Sequence, residues 1–160
     1  MIRAALATLL FCTICGGALA GEDPPATLLM KVNAIRLAQG LPLISSDAEL
    51  TRAAQRHAEE IAARGELSHT GPDGARIGER LERVGYPYVL AVENLASGTL
   101  DADDTFERWL GSPGHRVNLL SATMRQAGVG YVEVPVPDWR IAYRSYWVLV
   151  LARPAPEPGS

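Results

Sequence analysis

The chain has 160 residues, 48% of them hydrophobic, with 15 basic and 18 acidic side chains and a net charge of −3. No basic cluster stands out, which argues against nucleic acid or an anionic membrane as partner. Its only cysteines, Cys12 and Cys15, lie in the opening stretch MIRAALATLLFCTICGGALA.

That stretch reads as a secretory signal. Arg3 supplies the positive start, Ala4 to Ile14 an apolar run, and Ala18-Leu19-Ala20 an A-x-A cleavage site before Gly21. The run is shorter than the ~20 apolar residues that span a bilayer, so no stable membrane anchor is expected after cleavage. Phe11 and Ile14 precede the cysteines, too bulky for a lipidation site. Cleavage removes both cysteines, which excludes a thiol nucleophile, a redox pair, a cysteine zinc site and any disulfide. Removing Arg3 takes the net charge from −3 to −4. The expected division is a signal peptide over 1–20, one domain over 21–152 and a proline-rich disordered tail over 153–160. A domain of that size buries roughly 68% of its unfolded surface.

In chain order, PPATLLMKVNAIRLAQG predicts a helix with Leu28, Val32 and Ile35 on its inward face and Gly40 at its end. SDAELTRAAQRHAEEIAARG predicts a second, with Ser46 and Glu49 as a capping box and Gly65 as the stop. Its inward stripe is Leu50, Ala53, Ala54, His57, Ala58 and Ile61; a histidine among alanines there is a packed, hydrogen-bonded core residue. No H-E-x-x-H follows it. Ser68 to Gly74 is a loop, after which Asp73 caps a third helix carrying Ile77, Leu81 and Val84 and stopping at Gly85.

YPYVLAVENLASG is irregular or extended. A fourth helix starts near Asp101 with Phe106, Trp109 and Leu110 inward, and Ser112-Pro113 starts a fifth, as cap and first residue. His115 falls in its first turn, with Val117, Leu119 and Leu120 packing behind. GVGYVEVPV and IAYRSYWVLVLA are β segments, with PDW near the turn between them. Gly128-Val129-Gly130 is no dinucleotide loop, because a strand follows it. Helices first and antiparallel strands last make an α+β domain.

The pieces VNAIRLAQGLPLISSDAELTRAAQRHA, LSHTGPDG, RLERVGY, ENLASG, WLGSPGHRVNLL, AGVGYVEV and YWVLVLA, in this order from Val32 to Ala152, resemble the CAP superfamily. These are the cysteine-rich secretory, antigen-five and pathogenesis-related proteins, also called SCP domains. The resemblance implies an α-β-α sandwich with an antiparallel sheet between helical layers. It also implies an open cleft of histidines and acids, which in some members binds zinc or another divalent cation. Carried over, His69 of SHTG and Glu93 of ENLA match family positions, and His115 of SPGHR matches the histidine usual in bacterial members. The family's last histidine, on a strand near the C-terminus, is absent from YRSYWVLVLA, and Val148-Leu149 replaces the usual polar pair. Tyr146 is the candidate for the vacant place.

Two imidazoles and a carboxylate suit zinc with an open position for water, and a metal-activated water with His or Glu as base gives a hydrolase or peptidase. The same residues suit a binding module whose cleft, with Asn94 and with Tyr86, Tyr88, Tyr131 and Tyr146 available, takes a small lipid, a peptide or a glycan. A serine triad is excluded, since Ser68 adjoins His69 without a G-x-S-x-G elbow. The expectation is a secreted or periplasmic binding module, with the metal-dependent hydrolase using His69, Glu93 and His115 as the alternative.

Overall fold

The computed structural model describes residues 23–98, 101–134 and 145–156. The architecture follows from β4 (Ser145–Pro154), whose first eight residues are all buried. A strand buried on both faces needs a layer of structure on each side. It runs antiparallel to β2 (Tyr88–Gly98) on one side and β3 (Gln126–Glu133) on the other, and β1 (Ser45–Ser46) joins the far side of β3. The order is β1-β3-β4-β2.

Alternation along β4 assigns the layers. Tyr146, Val148, Val150 and Ala152 pack with α2 (Ala48–Arg64) and α3 (Ile77–Val84). Trp147, Leu149 and Leu151 pack with α1 (Pro24–Ala38), α4 (Ala102–Gly111) and α5 (Pro113–Leu119). This is the expected α-β-α sandwich. The sheet is mixed rather than wholly antiparallel, because β1 pairs parallel with β3. Two serines carry no periodicity, so that strand has no sequence signal.

Gly128 and Gly130 let α2 lie on the backbone of β3. A Cβ on Gly128 would sit 2.0 Å from the Leu50 carbonyl carbon, and one on Gly130 2.3 Å from the Ala54 carbonyl oxygen. Neither neighbour is a side chain that can swing away, so only glycine fits at either place.

The helices follow the predicted stripes, with local corrections. Asp47, not Ser46, caps α2, its carboxylate accepting the Leu50 N–H at 2.9 Å. Arg76 holds the cap position of α3, where Glu79 accepts its N–H at 2.9 Å; Asp73 instead accepts the Ala75 N–H at 3.0 Å. Gly65 and Gly85 end α2 and α3 at φ of 67° and 76°. Val117 is 65% exposed rather than packed behind α5. Strand β4 continues through Arg153 and Pro154, paired with Leu90 and Tyr88, so the regular structure outlasts the expected domain end. The signal peptide, the PDW turn and residues 157–160 fall outside the described residues.

Arg36 was not foreseen. It is wholly buried on α1, and its guanidinium donates to the carbonyls of Pro42 (2.9 Å), Leu119 (2.7 Å), Ser121 (3.0 Å) and Met124 (3.4 Å). It ties the helix to the C-terminal end of α5, where carbonyls lack intrahelical partners. Burial lowers its pKa from the ordinary arginine value, and Arg125 adds to that.

Candidate functional site

Strand β2 is an edge of the sheet, and its consecutive residues Glu93 and Asn94 point to opposite faces. Glu93 shares a face with Leu95, toward α2 and α3; Asn94 shares one with Val92 and Ala96, toward α4 and α5. The candidate site is therefore built astride the edge strand, half in each layer.

On the first side, the Glu93 side chain is only 3% exposed while that of His69 is 58% exposed. The His69 Nδ1 hydrogen bonds to Glu93 Oε1 at 2.8 Å, which turns the ring's other nitrogen away from the carboxylate. The second carboxylate oxygen, Oε2, accepts from the Arg80 guanidinium, itself 7% exposed. Arg80 also donates to the backbone carbonyls of His69 (3.1 Å) and Ala75 (3.2 Å). One buried arginine thus holds both the carboxylate and the loop that carries the histidine.

His57 supports the same loop from below. Fully buried on α2, it bonds through Nε2 to the Ser68 carbonyl at 2.8 Å and through Nδ1 to Glu60 at 3.1 Å. It is the packed, hydrogen-bonded histidine that the helix stripe indicates, and its bond to Ser68 places it one residue from His69.

On the second side, Asn94 is fully buried and both ends of its amide are engaged: Nδ2 donates to the His115 carbonyl at 3.1 Å, and Oδ1 accepts from Asn118 at 2.8 Å. Asn94 is a clamp for the first turns of α5. Ser112 stands at the cap position with Pro113 at the first helical residue, but its hydroxyl makes no capping bond, so the Asn94 clamp and the proline fix that turn. The half-buried His115 ring lies 6.4 Å from the Trp109 ring, and its buried Nδ1 has no hydrogen-bond partner among the described residues. Burial pushes the His115 pKa below its ordinary range, and the charge of His69 across the strand adds to the effect.

The remaining candidates lie elsewhere. Tyr146 is fully buried in the core between the sheet and the α2–α3 layer, with its ring away from solvent. Tyr86 is buried and donates to Gln126 at 2.6 Å, its hydroxyl pKa pushed up to about 12 by burial first and the charge of Asp47 second. Tyr131 packs on Trp147 with ring centroids 4.3 Å apart.

The residue missed in the sequence is Arg80. It lies on the stripe of Ile77, Leu81 and Val84, and a charge at an inward helical position needs a partner. That signal was available.

The arrangement does not fit a bound metal. Both Glu93 oxygens are engaged, and a guanidinium in contact with a carboxylate opposes a dication at the same place. Among the described residues no three His, Cys, Asp or Glu side chains come together to hold an ion.

Comparison with known proteins agrees with this fold. The model of the cysteine-rich secretory protein family, CAP, matches residues 29–150. The YkwD protein of Bacillus subtilis is 31% identical over 101 residues, 63% of this chain and 39% of that protein. An extracellular SCP-domain protein of Bacillus anthracis superposes with a TM-score of 0.70 at 28% identity, over 81% of this chain and 40% of that one. An outer surface protein of Borrelia burgdorferi shares the fold, with a TM-score of 0.70 at 20% identity, over 82% of this chain and 96% of that one. The chain spans about two fifths of the Bacillus proteins' lengths. With the family matched over most of its described residues, this chain belongs to the cysteine-rich secretory protein (CAP) family.

Proposed function

We propose that the protein is a secreted or periplasmic binding module, and that its ligand is held at the outer edge of β2 between His69 on one side and His115 on the other. The observation that carries this is the network running from buried Arg80 through buried Glu93 to exposed His69. Buried ion pairs are costly to build, and here the bonds hold one imidazole at the surface in one orientation. The half-buried His115 supplies a second imidazole on the other side of the strand.

The compartment is supported by the signal-like opening of the sequence and by the extracellular and outer-surface relatives. No helix among the described residues is long and apolar enough to cross a membrane. Binding is favoured over the metal-dependent hydrolase because both Glu93 oxygens are already bonded, one to His69 and one to the Arg80 guanidinium, whose charge opposes a cation there.

Native mass spectrometry of residues 21–160, purified from the producing cell's exterior or periplasm, is expected to show a retained small ligand, lost on His69→Ala and His115→Ala. A clean apo mass, together with turnover of a peptide or ester that disappears in Glu93→Gln, would reverse the assignment.

A further inference from the structure

We infer that the ligand is an extended polypeptide which joins the sheet as an added strand along the outer edge of β2, an inference that rests on the binding reading above. The register of the sheet shows which backbone groups are available. The Leu95 carbonyl accepts the Trp109 indole N–H at 3.0 Å, so Leu95 points its backbone away from β4. Ala152, which faces Ala91 across the ladder, gives its carbonyl to Arg125 on the other side, at 3.0 Å. An antiparallel strand alternates which side its N–H and C=O face, so Ala91 and Glu93 also turn theirs outward, to the edge that no strand among the described residues pairs. These groups repeat every second residue, about 6.8 Å along the strand, the spacing at which a second polypeptide offers its own.

Natural edge strands are usually guarded by charges, proline or a covering element. The open part of β2, Tyr88 to Val92, has neither charge nor proline, and Val89 and Leu90 are 51% and 44% exposed. Its one irregularity is the register shift between Tyr88 and Leu90, which leaves Leu90 onward regularly paired. Beside it a groove of about 520 Å³ runs between β2 and α5, lined by Leu90, Val92, Val117, Leu120 and Met124. An added strand would send alternate side chains into this groove and the others toward His69.

The groove also fixes the chemistry of the occupant. Arg116 lines it, is exposed, and makes no ion pair among the described residues. The favoured peptide therefore carries apolar residues at alternate positions and a carboxylate that reaches Arg116. A lipid chain would leave the edge groups of Ala91 and Glu93 unpaired. A second copy of this chain, paired edge to edge about a two-fold axis, would bring its own Arg116 to the same face and set like charges together.

The test uses residues 21–160 and a library of acetylated heptapeptides, with Val, Leu, Ile or Phe at odd positions and Asp, Glu, Ser or Thr at even ones. Binding is followed by titration and by amide hydrogen exchange. The best binder is expected to slow exchange at the Ala91 and Glu93 amides, and to lose about tenfold or more in affinity when its alternate amides are N-methylated. Ala91→Pro removes only an outward N–H, which an edge strand tolerates, and is expected to weaken binding comparably while leaving the fold intact. Should that variant fold poorly, Arg116→Glu serves instead: it should discriminate against acidic peptides and accept their lysine counterparts.

Three outcomes overturn the inference. Peptide affinity can be indifferent to N-methylation and to both substitutions. The Ala91 and Glu93 amides can be protected without peptide in a concentration-dependent dimer, which makes the occupant a second copy. Or no heptapeptide binds while native mass spectrometry shows a retained non-peptide ligand, in which case the binding reading stands and the peptide does not. A clean apo mass with no peptide binding removes both.

Discussion

Two arginines are buried among the described residues, and they are held in different ways. Arg36 on α1 faces only carbonyl groups, four of them, and joins pieces of the chain whose backbone acceptors would otherwise lack donors. Arg80 on α3 also donates to two carbonyls, but its other partner is a carboxylate whose second oxygen reaches an exposed histidine. The first network closes on itself inside the protein. The second runs out to the surface, and that difference separates an arginine that supports the fold from one that supports a site. Burial alone does not make the distinction, since both side chains are almost fully enclosed.

The comparison makes its sharpest prediction at Arg80. Replacing it by methionine leaves the buried Glu93 carboxylate without its guanidinium, which is expected to cost about 3–5 kcal/mol. Adding Glu93→Gln removes the stranded charge, so the double variant should recover much of that loss in a denaturant titration, with His69 still released from its fixed orientation. If the double variant is no more stable than Arg80→Met alone, the pair is not the reason for the cost. Arg36→Met comes next, at about 2–3 kcal/mol for unsatisfied carbonyls, some of which water can reach. Its loss is shared among four acceptors, so no single second substitution should restore it. A one-residue rescue of Arg36→Met would break the distinction between the two arginines.

Both arginines were legible in principle, because each occupies an inward position on an apolar stripe. Arg36 follows Leu28, Val32 and Ile35, and Arg80 stands among Ile77, Leu81 and Val84. What the stripe cannot provide is the partner: Arg36 reaches residues more than 80 positions away, such as Leu119, and only the fold brings them together. The same limit explains Gly128 and Gly130. Their spacing excludes a nucleotide loop, but their use, admitting the backbone of α2, is a tertiary contact. The sandwich itself was readable because α2, α3 and α4 carry a clear helical period, the last two strands are rich in β-branched and aromatic residues, and the family motifs carry their order. His69, Glu93 and His115 were named by those motifs; their placement astride β2 was not. Asn94 shows why: the motif marks its position, while the structure spends its whole amide on α5. Tyr146, the candidate for the vacant histidine place, is enclosed for a simpler reason, since it belongs to a strand buried on both faces. The cap of α2 moved from Ser46 to Asp47, two side chains that cap equally well.

His115 tests the comparison at its smallest scale, because its buried Nδ1 has neither the carbonyls of Arg36 nor the carboxylate of Arg80. Burial, and then the charge of His69, hold its pKa below the ordinary value in the folded protein. The unfolded chain titrates near the usual histidine value of about 6.5, so it takes up the proton first as pH falls. Stability from the neutral ring is therefore complete above about pH 6.5 and is lost as pH drops toward the folded pKa. His115→Gln removes this loss and leaves the backbone carbonyl that Asn94 holds. Melting temperatures of the two proteins, measured from about pH 7.5 to pH 5, should run parallel above 6.5 and diverge below it, with the native protein falling faster. Parallel curves across the whole range would mean that the ring finds a partner for its charge. A ligand carboxylate bound beside His115 should produce that same flattening in the native protein, which connects the acid limb of its stability to occupation of the β2 edge.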